Sequence, residues 1–96
     1  MTDQLPRADR AETGVVSSIL IAPNMYDLVA DLICVDDFFQ TDEKAIFAEM
    51  VRMSDAGEKI DITRLEGRTR VDAAKLAEIL HSEATPVHAV AYAADV

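Results

Sequence analysis

Apolar positions along this chain recur at helical spacing and not in alternation. From Asp9 onward, Val15, Val16, Ile19 and Leu20 fall on one helix face, and Ala22–Pro23 stops the pattern, because a residue before proline is pushed out of the helical region. Gly14 and the Ser17–Ser18 pair lower helix propensity there, and their small side chains allow another helix to approach closely. A second helix carries the apolar stripe Met25, Leu28, Val29, Leu32 and Ile33 and ends near Cys34–Val35. Thr41 is a good N-cap for a third helix, whose first turn places Asp42 and Glu43 at the positive end of the dipole. Ile46, Phe47, Met50, Val51 and Met53 form its inward side, and Gly57 suits the positive-φ position after its end.

Beyond Gly57 the elements shorten. Asp61 is placed to cap a short helix bearing Ile62 and Leu65, which Gly67 interrupts. Asp72 is placed to cap "AAKLAEILHS", with Leu76, Ile79 and Leu80 inward, and Thr85–Pro86 opens a last helix with Val87, Val90 and Ala91 on one side. No strand pair and no internal repeat is visible. The expected fold is all-α, a compact bundle of five or six short helices over residues 9–96, preceded by a polar tail at residues 1–8.

Composition narrows the function. A chain of 96 residues, half of them hydrophobic, forms one packed domain, and its few aromatics leave the core to Ala, Val, Ile, Leu and Met. A net charge of -9 repels phosphate backbones, so direct nucleic-acid binding is not expected. The cations between Lys59 and Lys75 are nearly balanced by acids and read as a solvated face. Cys34 has no partner for an intramolecular disulfide and reads as a small buried apolar residue. "MTDQLPRADR" has no apolar signal core and no run is long enough to span a membrane, so the expectation is a cytoplasmic protein.

The stretch "VDDFFQTDEKAIFAEM", residues 35–50, concentrates candidate chemistry: Asp36, Asp37, Asp42 and Glu43 surround Phe38 and Phe39. Calcium loops of the EF-hand type need oxygen ligands at alternating positions and a glycine at the sixth. Here the alternating positions after Asp36 are Phe38 and Gln40, those after Asp37 are Phe39 and Thr41, and no glycine follows. The acids read as helix punctuation and the two phenylalanines as an apolar plug where two helices meet, each contributing about 2 kcal/mol if fully covered. Glu78 and His81 have the Glu-x-x-His spacing of di-iron bundles, but one chain supplies a single copy, so a metal would require a symmetric dimer. Gly14, Gly57 and Gly67 are isolated, which leaves no phosphate-binding loop. No catalytic residue, cofactor or metal site is expected of a single chain.

The order of these features resembles the N-terminal domain of DnaB-type replicative DNA helicases over residues 8–96. The likeness runs through Ala11–Glu12, the segment "VVSSILIAP", and Asp36, Asp37, Phe38 and Phe39. It continues through Glu43, Lys44, Ile46, Phe47, Met50, Met53, Gly57, Ile60 and Asp61, then more loosely through Thr85, Pro86, His88, Tyr92 and Ala93. Glu43 stands where the family usually has histidine, Lys59 where it has proline, and Ser17–Ser18 where glycines are common. The resemblance implies a domain without the ATPase motor: the globular head of a hexamer collar, lacking its helical hairpin, that helps subunits pair and engages primase. Its expected partners are another copy of itself, in a dimer or ring, and replication proteins such as primase, a loader or the helicase. Met25, Phe38, Phe39, Met50 and Met53 are interface candidates because methionine and aromatic side chains adapt to partners. The competing reading of all five is core. The alternative to a collar module is a small standalone acidic regulator of a helicase or of DNA-binding proteins, drawn from the net charge.

Overall fold

The computed structural model describes residues 6–81, 93, 94 and 96. Among the described residues five α-helices appear in this order: α1 (Pro6–Ile21), α2 (Met25–Ala30), α3 (Thr41–Asp55), α4 (Ile62–Arg68) and α5 (Ala73–Leu80), with a 3-10 turn at Val35–Asp37 before α3. No strand occurs among the described residues. The last expected helix, from Thr85 and Pro86 through Val87, Val90 and Ala91, lies outside them; of the residues that follow, Ala93, which is buried, Ala94 and Val96 are described.

α1 is the axis of the domain. It packs on α5, α3 and α2, while α4 bridges α3 and α5. From Ala11 to Leu20 every residue of α1 is buried except Thr13, which is half-buried. Burial on nearly all sides leaves the middle turns of this helix no solvent face. It also forces its polar residues inward. Ser17 Oγ donates to the Leu80 carbonyl of α5 at 3.5 Å, a close approach that the small serine permits. Ser18 Oγ is buried with no hydrogen-bond partner among the described residues.

α3 carries the largest share of the core, with Ile46, Phe47, Met50 and Met53 all essentially inaccessible. Val51, on the edge of that face, is only partly buried. The helix ends in a Schellman motif: Glu58 N–H donates to Met53 O at 2.8 Å and Gly57 N–H to Ser54 O at 3.0 Å, with Gly57 at φ 73. The α4 and α5 caps also match expectation. Asp61 accepts from Arg64 N–H at 3.0 Å and Asp72 from Lys75 N–H at 2.9 Å. Gly67, however, does not interrupt α4; the helix runs through it to Arg68, and Thr69 closes it by donating Oγ1 to Leu65 O at 2.9 Å. Thr41 is the first residue of α3 and not its cap, a place taken by Gln40.

Two sequence expectations for α2 are corrected. The helix ends at Ala30, and its buried face is Tyr26, Val29 and Ile33; Leu28 and Leu32 are about half exposed. Tyr26 sets this rotation, because its ring lies 6.0 Å from that of Phe47 and turns the apolar face one step round the helix. Cys34 is exposed and not buried. The chain has left the helix there and is extended, and Asp37 Oδ2 accepts from Cys34 N–H at 2.9 Å.

Arg68 at the end of α4 is tied to α3 and the turn that follows it. Its guanidinium forms a bidentate pair with Glu58 and lies 3.8 Å from Glu49, which also accepts from Arg52 at 2.7 Å. The hydrogen bonds from Arg68 hold the Glu58 carboxyl below its ordinary pKa against desolvation, with the positive charges of Arg68 and Arg64 adding smaller contributions in the same direction. A carboxyl lowered by folding stabilises the fold above its unfolded pKa of about 4.3 and loses that contribution as pH falls through the lower folded value. The Arg68→Ala chain is therefore expected to be less stable than wild type at neutral pH, with the difference shrinking below about pH 4.3. Urea midpoints measured across that range check it; a constant difference would contradict the pairing.

Candidate functional site

The junction between the 3-10 turn and α3 brings most of the candidate residues together. Its organising group is Glu12, on α1, which is 1% exposed. Its carboxylate accepts from the backbone N–H of Phe39 at 3.1 Å and of Gln40 at 2.9 Å. Gln40 is the N-cap of α3, and in a capping box the side chain at N3 would reach back to that amide. N3 here is Glu43, and it is turned elsewhere: buried, it accepts from Thr13 Oγ1 at 2.8 Å. Gln40 Nε2 in turn donates to Thr13 Oγ1 at 3.3 Å. The start of α3 is thus capped by a carboxylate from a different helix, and its own glutamate answers with a bond back to α1.

The 3-10 turn delivers the chain to this junction. Asp37 closes the turn by accepting from Cys34, and Asp36 is exposed. The backbone is then extended at Phe38 (φ -88, ψ 138) and at Gln40 (φ -74, ψ 125). In an extended segment successive side chains point to opposite sides. Phe38 enters the core, its ring stacked 5.0 Å from Phe47, whereas Phe39 is 75% exposed. The plug of two phenylalanines expected from sequence is therefore a single one, and the second projects into solvent.

The five interface candidates separate clearly. Phe38, Met50 and Met53 are buried, Met25 is half-buried against the core, and Phe39 stands out from the surface. Among the described residues, Ile21, Leu28 and Leu32 are the other large apolar residues that are substantially exposed, and the sequence reading did not single them out as surface. The polar tie was missed as well. Its signal was present in the sequence: Glu12 is the one charged residue in the otherwise uncharged run "AETGVVSSIL", a position where an acid needs an internal partner.

The Glu78-x-x-His81 spacing falls at the exposed end of α5. Glu78 lies 3.4 Å from Lys75 Nζ, and His81 forms the C-cap, its backbone N–H donating to Ala77 O. Among the described residues no group of three or more His, Cys, Asp or Glu is arranged to hold a metal ion. Elsewhere, an open cleft of about 360 Å³ lies between the start of α2 and the turn after α3, with Tyr26, Asp27, Ser54, Glu58 and Lys59 in its walls. Burial raises the Tyr26 phenol above its ordinary pKa against the Ser54 hydrogen bond, with help from the carboxylates of Asp55 and Asp27.

The two neighbouring phenylalanines make opposite demands on the fold. Phe38→Ala is expected to cost about 3–4 kcal/mol by opening a cavity beside Phe47. Phe39→Ala is expected to change stability by less than about 0.5 kcal/mol. Chemical denaturation of both variants checks this, and equal losses would contradict the in-and-out arrangement.

Comparison with known proteins agrees with this architecture. The family model described as the DnaB-like helicase N terminal domain matches residues 4–96, nearly the whole chain. The chain is 35% identical over 60 residues to the replicative DNA helicase DnaB of Pasteurella multocida, and 32% identical over 60 residues to that of Buchnera aphidicola subsp. Schizaphis graminum. Each match covers 62% of this chain but 13% of the relative's length. No helix among the described residues is long and apolar enough to cross a membrane. With its five-helix fold and a family match from residue 4 to residue 96, this chain belongs to the DnaB-like helicase N-terminal domain family.

Proposed function

We propose that this chain acts by binding and not by chemistry: a cytoplasmic protein-interaction and oligomerisation module of the kind that forms the N-terminal collar of a replicative DNA helicase. In this role it pairs subunits or meets a replication partner such as a primase or loader. The observation that carries the reading is the distribution of exposed apolar surface. Among the described residues, the large hydrophobic side chains left substantially exposed are Ile21, Leu28, Leu32 and Phe39, and all lie between the last residue of α1 and the start of α3. Single exposed apolar side chains are ordinary on a protein surface; four in one short segment, one of them a phenylalanine, favour an interaction surface.

Family membership supports the same direction, because the curated relatives named above are replicative helicases and the match lies in the N-terminal domain. The net charge of -9 also supports a role away from the phosphate backbone. The same charge is what a small acidic regulator would carry, and self-assembly separates the two readings.

Light scattering over a wide concentration range, with and without a chelator, tests the module. The expected result is a chelator-insensitive dimer or ring, weakened at least tenfold in Phe39→Ser while the fold is retained. A species that falls apart on chelation would point instead to Glu78 and His81 sharing a metal across a dimer. A monomer at every concentration would contradict self-pairing and favour the regulator.

A further inference from the structure

The exposed apolar residues of α2 have an ordered setting. Met25, Leu28 and Leu32 follow helical spacing, and the turn continues past Ala30, with Leu32 N–H donating to Val29 O at 2.9 Å and Ile33 N–H to the same carbonyl at 3.1 Å. Around this helix three pairs spaced four residues apart lie side by side. Val29 and Ile33 are buried, Leu28 and Leu32 are 50% and 52% exposed, and Asp27 and Asp31 are exposed at the outer edge. The Leu pair therefore forms a shelf between the core and a row of carboxylates.

That row has no internal answer. From Ile21 to Glu43 the chain contains no lysine, arginine or histidine. Asp27, Asp31 and Asp36 are exposed, and none of them takes part in an ion pair among the described residues. An apolar shelf edged by unpaired carboxylates is complementary to a helix that presents a leucine-type stripe flanked by lysines or arginines.

Resting on the interaction-module reading, we propose that the Leu28–Leu32 face of α2 is a docking surface for a cationic amphipathic helix of a partner protein. A second copy of this chain suits the face poorly. Across a two-fold axis the same patch meets itself, so both copies bring Asp27 and Asp31 to the seam and neither brings a cation from residues 21–43. A cationic helix supplies the cations and covers the leucines at once. Two contributions then separate experimentally: the leucines hold the apolar stripe, and the aspartates give salt-sensitive attraction and discriminate the sign of the partner's charge.

The test uses a fluorescein-labelled Leu/Lys amphipathic peptide of about 18 residues, long enough to hold a helix, and its Leu/Glu counterpart. Fluorescence anisotropy is read against the wild-type chain, Leu28→Ser/Leu32→Ser and Asp27→Asn/Asp31→Asn. All four positions are exposed, and circular dichroism verifies that each variant keeps its helix content. The expected result is binding of the Lys peptide only, at least tenfold weaker in the leucine variant. In the aspartate variant it is several-fold weaker, with a reduced salt dependence. Equal binding of both peptides, no binding by the wild-type chain, or leucine and aspartate variants that bind as wild type does would each overturn the proposal. Loss of self-association in the leucine variant, with no affinity for the Lys peptide, would overturn it in favour of a second copy while leaving the module reading intact.

Discussion

A single buried carboxylate sets the geometry on which the rest of this domain depends. Glu12 sits on a helix that has no solvent face around it, and the groups it finds are the amides of Phe39 and Gln40 at the head of α3. Buried backbone donors left unpaired cost about 1–3 kcal/mol each, and a buried carboxylate without donors costs more. Each solves the problem of the other. The bond fixes where α3 begins relative to α1, and that origin decides which residues of α3 face inward. Phe47 then meets Phe38 on one side and Tyr26 on the other, which orients α2 as well. Three elements far apart in sequence are registered by one side chain.

The consequences reach the surface. Because the backbone is held extended at the Glu12 tie, Phe38 must point in and Phe39 must point out. Because Tyr26 is claimed by Phe47, the apolar arc of α2 is turned so that Leu28 and Leu32 are left at its margin. The exposed apolar residues are thus by-products of the core's own demands, held on well-packed elements. A surface held in this way loses little conformational entropy when a partner covers it, which fits the interaction role proposed above.

Much of this was legible from the chain. Local signals were read correctly where the physics is local: Asp61 and Asp72 cap the helices they precede, and Gly57 takes the positive φ that ends α3. The order of motifs from Ala11–Glu12 to Asp61 identified the family. The failures are partly local, since Thr41 is the first residue of α3 and not its cap, and partly tertiary. Periodicity marks Leu28 and Val29 as equally apolar, and only the position of Tyr26 against Phe47 decides which is covered. Cys34 follows an apolar run but lies beyond the end of its helix, in an exposed turn. Gly67 breaks a pattern without breaking the helix, since α4 extends only one residue beyond it, to Arg68. Glu12 could be recognised from sequence as an acid in a buried run, but its partners, 27 and 28 residues away, could not.

Amide hydrogen exchange at Phe39 and Gln40 tests the tie directly, because these two N–H groups precede α3 and donate to Glu12. The account predicts that both exchange slowly, on the scale of the core amides of α3, and that Glu12→Ala releases them while the body of α3 stays protected. Exchange of both amides at unprotected rates in the folded wild-type chain would contradict it.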